Sequence, residues 1–235
     1  MKKLLFFVVA LFMVNSVFSQ GAKFGVKAGV NLATLSDLKV SYSSVNINVF
    51  EKDGMALGYH GGVFANLSLG KFIGFQPELL FSMQGGKYKL SGMFTDIEDM
   101  MDFDDDDDFD FSKAKLSFQL GYVSVPLLLE IKPVENLGIL VGPQIGYSLT
   151  RSSTIEADGE KETISGKDFD DEFSDFKKID VGVTFGIQYT IGDRLQISAR
   201  YNLGLTDNYK LTSDDGATMK GLRNGVIQAS IGFIF

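Results

Sequence analysis

The chain has 235 residues, one histidine, no cysteine and a formal net charge of −8 at pH 7. The lack of cysteine excludes a disulfide-stapled fold and any metal site that depends on thiolate ligands. The negative charge disfavours nucleic acid as a partner, because such binding relies on basic side chains that neutralise phosphates.

The N-terminus has the pattern of a secretory signal peptide. Lys2 and Lys3 form a charged start, an apolar run covers residues 4–14, and the small Ser19 offers a cleavage point. A retained membrane anchor is the alternative, but the apolar run is shorter than the ~20 residues that a spanning helix needs. We expect residues 1–19 to be the signal and residues 20–235 to form one exported domain, with no lipid-anchoring cysteine.

The exported part alternates apolar and polar residues with the period of β-strands. In residues 194–205 every odd position is apolar and no even position is, which indicates a strand with two different faces. The same pattern predicts eight strands, at 24–33, 55–69, 72–84, 115–131, 137–150, 179–189, 194–205 and 225–235.

The parity of the apolar residues changes inside the strand at 115–131. Apolar residues occupy even positions up to Tyr122 and odd positions from Val123 onward. We interpret this change as a β-bulge near 122–124, because one extra residue turns the following side chains to the opposite face.

Short and long connections alternate along the chain. Short ones are predicted at 70–71, 132–136 and 192–193, and long ones at 34–54, 85–114, 151–178 and 206–224. Strands that cross the outer membrane have this arrangement, with tight periplasmic turns and long outer loops. The sequence therefore predicts an all-β fold, an eight-stranded antiparallel transmembrane up-and-down β-barrel in the cell outer membrane, with both termini periplasmic.

A soluble barrel with an apolar interior would show the same alternation. Its water-facing side should be rich in lysine and glutamate, whereas the polar positions here are mostly glycine, serine, glutamine and asparagine. The interior of an eight-stranded barrel is only just wide enough for side chains, so small residues there make room for a few large ones. We therefore assign the polar face to the lumen, which is too narrow for general diffusion of solutes.

A few titratable residues belong to this lumen face. We expect Glu78 and Arg200 to lie at similar heights and to share one internal ion-pair network, because an unpaired charge in a narrow interior is costly. Two roles are open for these charges. One is the structural stabilisation of a filled lumen, and the other is a pathway for protons or ions. The residues assigned to the lumen charge network are Lys27, Glu78, Glu130, Asp180, Arg194 and Arg200.

Several segments resemble the PorT-like outer-membrane β-barrel family of Bacteroidetes. The resemblance is carried by Phe-Gly-Val-Lys-Ala-Gly-Val-Asn-Leu-Ala at 24–33, by residues 75–87, by Tyr-Val-Ser-Val-Pro-Leu-Leu-Leu-Glu at 122–130 and by residues 200–205. Ser124 and Glu130 depart from the acidic and basic residues usual in that family. The resemblance implies an integral outer-membrane barrel and makes Phe235 similar to the C-terminal signal that the barrel-assembly machinery reads. Some relatives take part in protein secretion, a role that is not carried over to this chain.

The most acidic segment is 96–110, which contains ten carboxylates in fifteen residues. Such a block repels itself and predicts a solvated loop. Oxygen-rich clusters also suit divalent cations, although the spacing is not that of an EF-hand. The candidate cation ligands are Asp102, Asp104, Asp106, Asp108 and Asp110. A second acidic stretch, at 151–178, is predicted to be a polar surface loop.

Three functions are compatible with these features. The first is a non-enzymatic surface-interaction or membrane-structural role through acidic extracellular loops. The second is an accessory role in transport or protein secretion across the outer membrane. The third, a barrel enzyme, would require the single histidine, His60, to lie beside a nucleophile at the membrane rim; we predict no enzyme and no cofactor. Predicted partners are outer-membrane lipid and lipopolysaccharide, the barrel-assembly machinery, divalent cations, and an extracellular or periplasmic protein.

Overall fold

A computed structural model describes residues 22–42, 45–48, 51–89, 114–157, 159–172, 174–212 and 218–235. The predicted signal peptide and the acidic segment 96–110 lie outside these residues. Among the described residues, no helix is long and apolar enough to cross a membrane.

The described part of the chain is almost entirely β-structure. The strands are β1 (Lys23–Leu35), β2 (Leu38–Tyr42), β3 (Val45–Asn48), β4 (Glu51–Lys52), β5 (Ala56–Ser68), β6 (Ile73–Lys89), β7 (Lys115–Val134), β8 (Leu137–Ala157), β9 (Glu160–Ser165), β10 (Ile179–Ile191), β11 (Leu195–Gly204), β12 (Tyr209–Thr212), β13 (Thr218–Gly221) and β14 (Asn224–Ile234). One short helix, α1 (Lys167–Glu172), lies between β9 and β10.

Eight of these strands form a closed antiparallel barrel in the order β10-β11-β14-β1-β5-β6-β7-β8, with β8 pairing back to β10. The first and last barrel strands meet, with Gly25 opposite Ile234 and Leu35 opposite Asn224. Closure gives every barrel strand two neighbours, so no strand edge faces an apolar environment. The predicted eight-stranded antiparallel barrel is confirmed.

The two ends of the barrel differ. One end of the barrel, which we call the turn end, contains the short connections 69–72, 135–136 and 192–194. The first residue of β1, Lys23, and the last residue of β14, Ile234, lie at the same end. The long connections lie at the opposite end, which we call the loop end. Both assignments follow directly from the order of antiparallel strands.

Over most of the barrel the large apolar side chains point outward and the polar ones inward. Val63, Ile187 and Ile231 are at least half exposed, whereas Gln76, Gln188 and Gln228 are buried in the bore. Inward glycines let the strands pack closely: a Cβ added at Gly62 would collide with the Leu79 carbonyl oxygen. The sequence-based assignment of the polar face to the lumen is therefore correct.

The pattern reverses towards the loop end. In β7, Val125, Leu127 and Leu129 face outward, but eight residues earlier the outward positions are the polar Ser117 and Gln119. The inward positions change from a mixture of polar and apolar residues to apolar residues only. This reversal marks where the outer surface leaves an apolar environment and the bore becomes a packed core.

The predicted bulge in β7 was expected to turn the side chains that follow it to the opposite face of the strand, and this expectation is wrong. Even-numbered residues of β7 from Leu116 to Glu130 are buried and face inward, including Phe118 and Tyr122. The pairing does shift register between Gly121 and Tyr122, but the extra residue belongs to β8, where two successive residues are exposed after Ser148. The apolar residues of β7 move from even to odd positions because the inside and the outside of the barrel exchange polarity at this height. The direction in which the even-numbered side chains point does not change there.

The apolar interior at the loop end contains residues from the barrel strands and from the long connections. We call this cluster the apolar plug. Its members are Leu35, Leu38, Tyr88, Leu116, Phe118, Leu120, Tyr122, Phe169, Phe176 and Leu222, with Tyr209 packed against them.

Further β-structure continues above the barrel at the loop end. Strands β12, β13, β2 and β3 form a separate four-stranded antiparallel sheet. Strand β9 pairs with the end of β8 and extends that hairpin. The connections at 34–54, 151–178 and 206–224 therefore contain β-structure, which the sequence patterns did not predict.

Candidate functional site

A charged cluster spans the bore in the half near the turn end. Lys27 Nζ lies 2.7 Å from Glu78 Oε1, and Arg200 Nη1 donates a hydrogen bond to Glu78 Oε2 over 2.9 Å. The three side chains are at most 1 % exposed. Gln76 also donates to the Glu78 carboxylate.

The barrel order explains why these residues meet. Strand β11 lies four positions from β6 around the eight-stranded ring, so Arg200 reaches Glu78 from the opposite wall. Lys27 reaches the same carboxylate from β1 and passes over the Phe64 ring, 4.9 Å from its centroid. Two cations on one carboxylate give this cluster a formal charge of +1, and the long Arg200 side chain fills the bore.

The other predicted lumen charges do not join this cluster. Glu130 accepts a hydrogen bond from Gln188 and lies 3.2 Å from Lys132 Nζ, close to the turn end. Asp180 lies nearer the loop end and accepts from Asn224. The assignment of Arg194 to the lumen is wrong: Arg194 is exposed, because it belongs to the turn between β10 and β11 where the chain leaves the bore.

The single histidine is held by neutral partners beside the charged cluster. His60 Nδ1 lies 2.7 Å from Asn31 Oδ1, and His60 Nε2 lies 2.7 Å from Ser230 Oγ. Gln228 donates to the same Asn31 oxygen over 3.0 Å. Serine, histidine and asparagine in this order have the hydrogen-bond pattern of a nucleophile, a base and an orienting residue.

This chain of side chains is enclosed in the packed bore, away from the membrane rim where a barrel enzyme was expected to place it. His60 is 2 % exposed and Ser230 is 6 % exposed. A Cβ added at the neighbouring Gly29 would collide with the Ala229 carbonyl oxygen and lie 2.7 Å from the His60 ring. The geometry therefore provides hydrogen-bond satisfaction of the interior and leaves no space for a substrate beside Ser230.

A second polar region lies between the charged cluster and the apolar plug. Thr184 donates to Asn202 over 2.6 Å, and Asn224 Nδ2 donates to Asp180 Oδ2 over 3.1 Å. Inward residues of β7 and β8 complete this region, which we call the polar chamber. Its members are Tyr122, Ser124, Gly146, Ser148, Asp180, Thr184, Asn202 and Asn224.

The apolar plug closes the bore above the polar chamber. Phe169 on α1 packs edge-on against Phe118 and Phe176, with centroid separations of 6.4 and 5.6 Å. Arg151 holds this arrangement in place, because it pairs with Asp170 on α1 and donates to the Phe176 carbonyl over 3.3 Å. The loop at 151–178 is thus folded into the barrel mouth.

The sequence patterns do not predict this plug, because acidic side chains dominate residues 151–178 and indicate a polar surface loop. The aromatic residues within that acidic stretch, Phe169 and Phe176 among them, are the sequence feature that points to a packed core. At the plug's margin, partial burial and the nearby Asp175 carboxylate raise the pKa of Tyr209 above its ordinary value.

Two predicted sites remain, the acidic cation ligands and the terminal Phe235. The candidate cation ligands Asp102 to Asp110 lie outside the described residues. Within the part of the chain that the structure describes, no group of three or more His, Cys, Asp or Glu side chains is arranged to hold a metal ion. Phe235 is exposed at the turn end and its amide donates to the Phe24 carbonyl over 2.9 Å.

Comparison with known proteins gives a family and several partial structural likenesses. Residues 18–210 match the family described as outer membrane protein beta-barrel domain. No curated protein matches the sequence.

Three solved structures of similar topology are the attachment invasion locus protein Ail of Yersinia pestis in complex with the heparin analogue sucrose octasulfate, OprG of Pseudomonas aeruginosa, and a major outer membrane protein of Thermus thermophilus. Their sequence identities to this chain are 12 %, 8 % and 15 %, and their TM-scores are 0.41, 0.42 and 0.43. The alignments cover 91 %, 92 % and 92 % of this chain and 99 %, 97 % and 100 % of the three proteins. At these values none of the three informs the function of the present chain.

The charge of the cluster predicts unequal costs for removing its members. Glu78→Gln leaves Lys27 and Arg200 facing each other without a carboxylate, so we expect it to lower the free energy of unfolding by about 3–5 kcal/mol. Arg200→Gln leaves a neutral Lys27–Glu78 pair and should cost clearly less. Urea unfolding in phospholipid vesicles measures the loss of unfolding free energy in both variants. Far-UV circular dichroism follows the unfolding, because the chain has no tryptophan for a fluorescence measurement. Equal losses, or a larger loss for Arg200→Gln, would contradict this charge balance.

Proposed function

We propose that this chain, which belongs to the outer membrane protein beta-barrel domain family, is a closed, non-enzymatic barrel that acts through its loop end. The observation that carries this proposal is the double closure of the bore by the charged cluster and the apolar plug. We further propose that the turn end faces the periplasm and the loop end faces outward, as in barrels with short periplasmic turns and long outer loops.

The two closures differ in chemistry, which supports a permanently filled bore. Arg200 and Glu78 connect opposite walls near the turn end. Near the loop end the wall residue Phe118 packs against aromatic rings from the connection between β9 and β10. A solute would therefore have to displace both a desolvated ion pair and a packed aromatic core.

The loop end offers the larger interaction surface. It carries the four-stranded sheet, the β8–β9 hairpin and the attachment points of the acidic segment 96–110. Carboxylates in that segment have the chemistry to bind divalent cations that bridge lipopolysaccharide phosphates. An extracellular protein is the other proposed partner of this surface.

The remaining parts of the proposal concern export and assembly. Residues 1–19 serve as the signal peptide, and Phe235 serves as the residue read by the barrel-assembly machinery. The motifs at 75–87 and 122–130 support a PorT-like affiliation within the wider family. An accessory role in transport or secretion is the alternative function, and an open bore would favour it.

The filled bore predicts an electrically silent protein. In planar bilayers we expect no steady single-channel currents from the wild type, and none from Phe169→Asp, because the charged cluster still spans the bore below the plug. The double variant Phe169→Asp/Arg200→Ala, which weakens both closures, should conduct more often than either single variant. Steady currents from the wild type would contradict the proposal and favour the transport alternative.

The loop-end role predicts that the acidic segment binds divalent cations at the lipopolysaccharide surface. Replacing the ten carboxylates of residues 96–110 by asparagine and glutamine keeps the loop length and removes its charge. We expect this variant to lose most Ca²⁺ binding and Ca²⁺-dependent adhesion to lipopolysaccharide-coated beads. A matched variant neutralising Glu160 and Glu162 on β9 serves as the control. Unchanged binding in the loop variant would remove the segment from the proposed function.

The enclosed Ser230 predicts no hydrolase activity. A fluorophosphonate probe, which reacts with activated serines, should not label the folded protein, because His60 and Ser230 are buried without adjacent space. Ser230→Ala is the control for any background labelling. Labelling that disappears in Ser230→Ala would contradict the non-enzymatic assignment.

A further inference from the structure

The polar chamber contains a buried carboxylate without a cationic partner. Asp180 faces inward from β10 and is 6 % exposed. Asn224 donates to its Oδ2 over 3.1 Å, whereas its Oδ1 has no hydrogen-bond partner among the described residues. No ion pair to Asp180 lies within 4.0 Å in the described part of the chain. A carboxylate in such an interior needs a counter-charge or a proton.

The interior cations are committed elsewhere. Arg200 pairs across the β10–β11 ladder with Gly186, six residues along β10 from Asp180, which corresponds to ~20 Å of strand. Its guanidinium is held by Glu78. Arg151, the buried cation of the loop end, is paired with Asp170 on α1. Neither cation is therefore placed to neutralise Asp180.

Other oxygens of the chamber are also buried without partners. Ser124 Oγ, Ser148 Oγ and Asn224 Oδ1 make no hydrogen bond to the described residues, and their side chains belong to residues at most 3 % exposed. All three are hard oxygen donors, the type that alkali and alkaline-earth cations prefer.

The backbone register places these oxygens around a gap. Ser124 on β7 pairs with Gly146 on β8, and Gly146 pairs with Asp180 on β10, so the three residues lie in one row across three strands. A Cβ added at Gly146 would lie 3.3 Å from the Tyr122 ring, 3.4 Å from Ser124 Oγ and 3.8 Å from the Asp180 backbone oxygen. The missing side chain at Gly146 therefore leaves a gap the size of a methyl group, bounded by Ser124 Oγ, the Tyr122 ring and the backbone of Asp180.

We propose that this space binds one monovalent alkali cation, of the size of Na⁺, held by the Asp180 carboxylate and by the neutral oxygens of Ser124, Ser148 and Asn224. The charge balance selects a monovalent ion, because a divalent one would leave a net +1 in the chamber. Water could satisfy the hydrogen bonds but not the charge. The apolar plug lies directly above, with Tyr122 belonging to both regions, and it slows exchange of the ion with solvent.

The ion dependence of unfolding tests this site. The protein in vesicles is heated in NaCl and in N-methyl-D-glucamine chloride at equal ionic strength and pH, and unfolding is followed by the heat-dependent gel mobility typical of closed barrels. A bound cation stabilises the folded state by mass action, so the wild-type midpoint should rise by about 2–4 °C in sodium. Asp180→Asn should lose this rise while remaining folded, since its amide replaces the carboxylate with a neutral group. Asp193→Asn, which removes an exposed carboxylate from a turn, should keep the rise.

Two further measurements keep the test decisive if Asp180→Asn does not fold. Gly146→Ala retains every proposed ligand but fills the space, and it should also lose the sodium effect. Crystals grown in thallium(I) acetate should show an anomalous peak between Gly146 and the Asp180 carboxylate. Identical wild-type midpoints in the two salts, or a chamber without a thallium peak, would overturn the site and assign the neutralisation of Asp180 to a proton.

Discussion

Closure of the hydrogen-bonded ring is the constraint on which the rest of this structure depends. Backbone N–H and C=O groups have no water to bind within a bilayer, so each barrel strand must find two partners. The pairing of β1 with β14 completes the ring and brings Lys23 and Ile234 to the turn end. Once the ring is closed with eight strands, the bore has room only for side chains, and its chemistry is fixed by what those side chains can satisfy among themselves.

The side chains in the bore satisfy their charges and hydrogen bonds in different ways at different heights. Near the turn end, Glu78 offsets two cations that reach it from separate walls. Around His60, neutral amides and hydroxyls satisfy one another. Towards the loop end Asp180 keeps a carboxylate oxygen without a partner among the described residues, and the buried aromatic rings of the plug lie above it. The bore is therefore a stack of distinct environments rather than a uniform polar channel.

The plug also shows how an acidic connection can have a structural role. Phe169 is completely buried although acidic residues surround it in sequence. Arg151 links the barrel wall to α1 through Asp170 and to the following segment through the Phe176 carbonyl. These contacts fix the base of the loop end, so any partner would meet a surface anchored to the barrel wall.

The sequence by itself determined the eight barrel strands, the alternation of short and long connections and the facing of most side chains in the barrel. These features depend on local periodicity, and the period of two is set by the strand backbone. Only the tertiary structure decided that the apolar face of β7 points into the bore at the loop end. The strand backbone puts Leu116 and Phe118 on one face, but distant connections supply the residues that surround them. The tertiary structure also decided which interior charges meet, since Glu78 and Arg200 lie 122 residues apart and are joined by ring closure, whereas Arg194 follows the turn out of the bore.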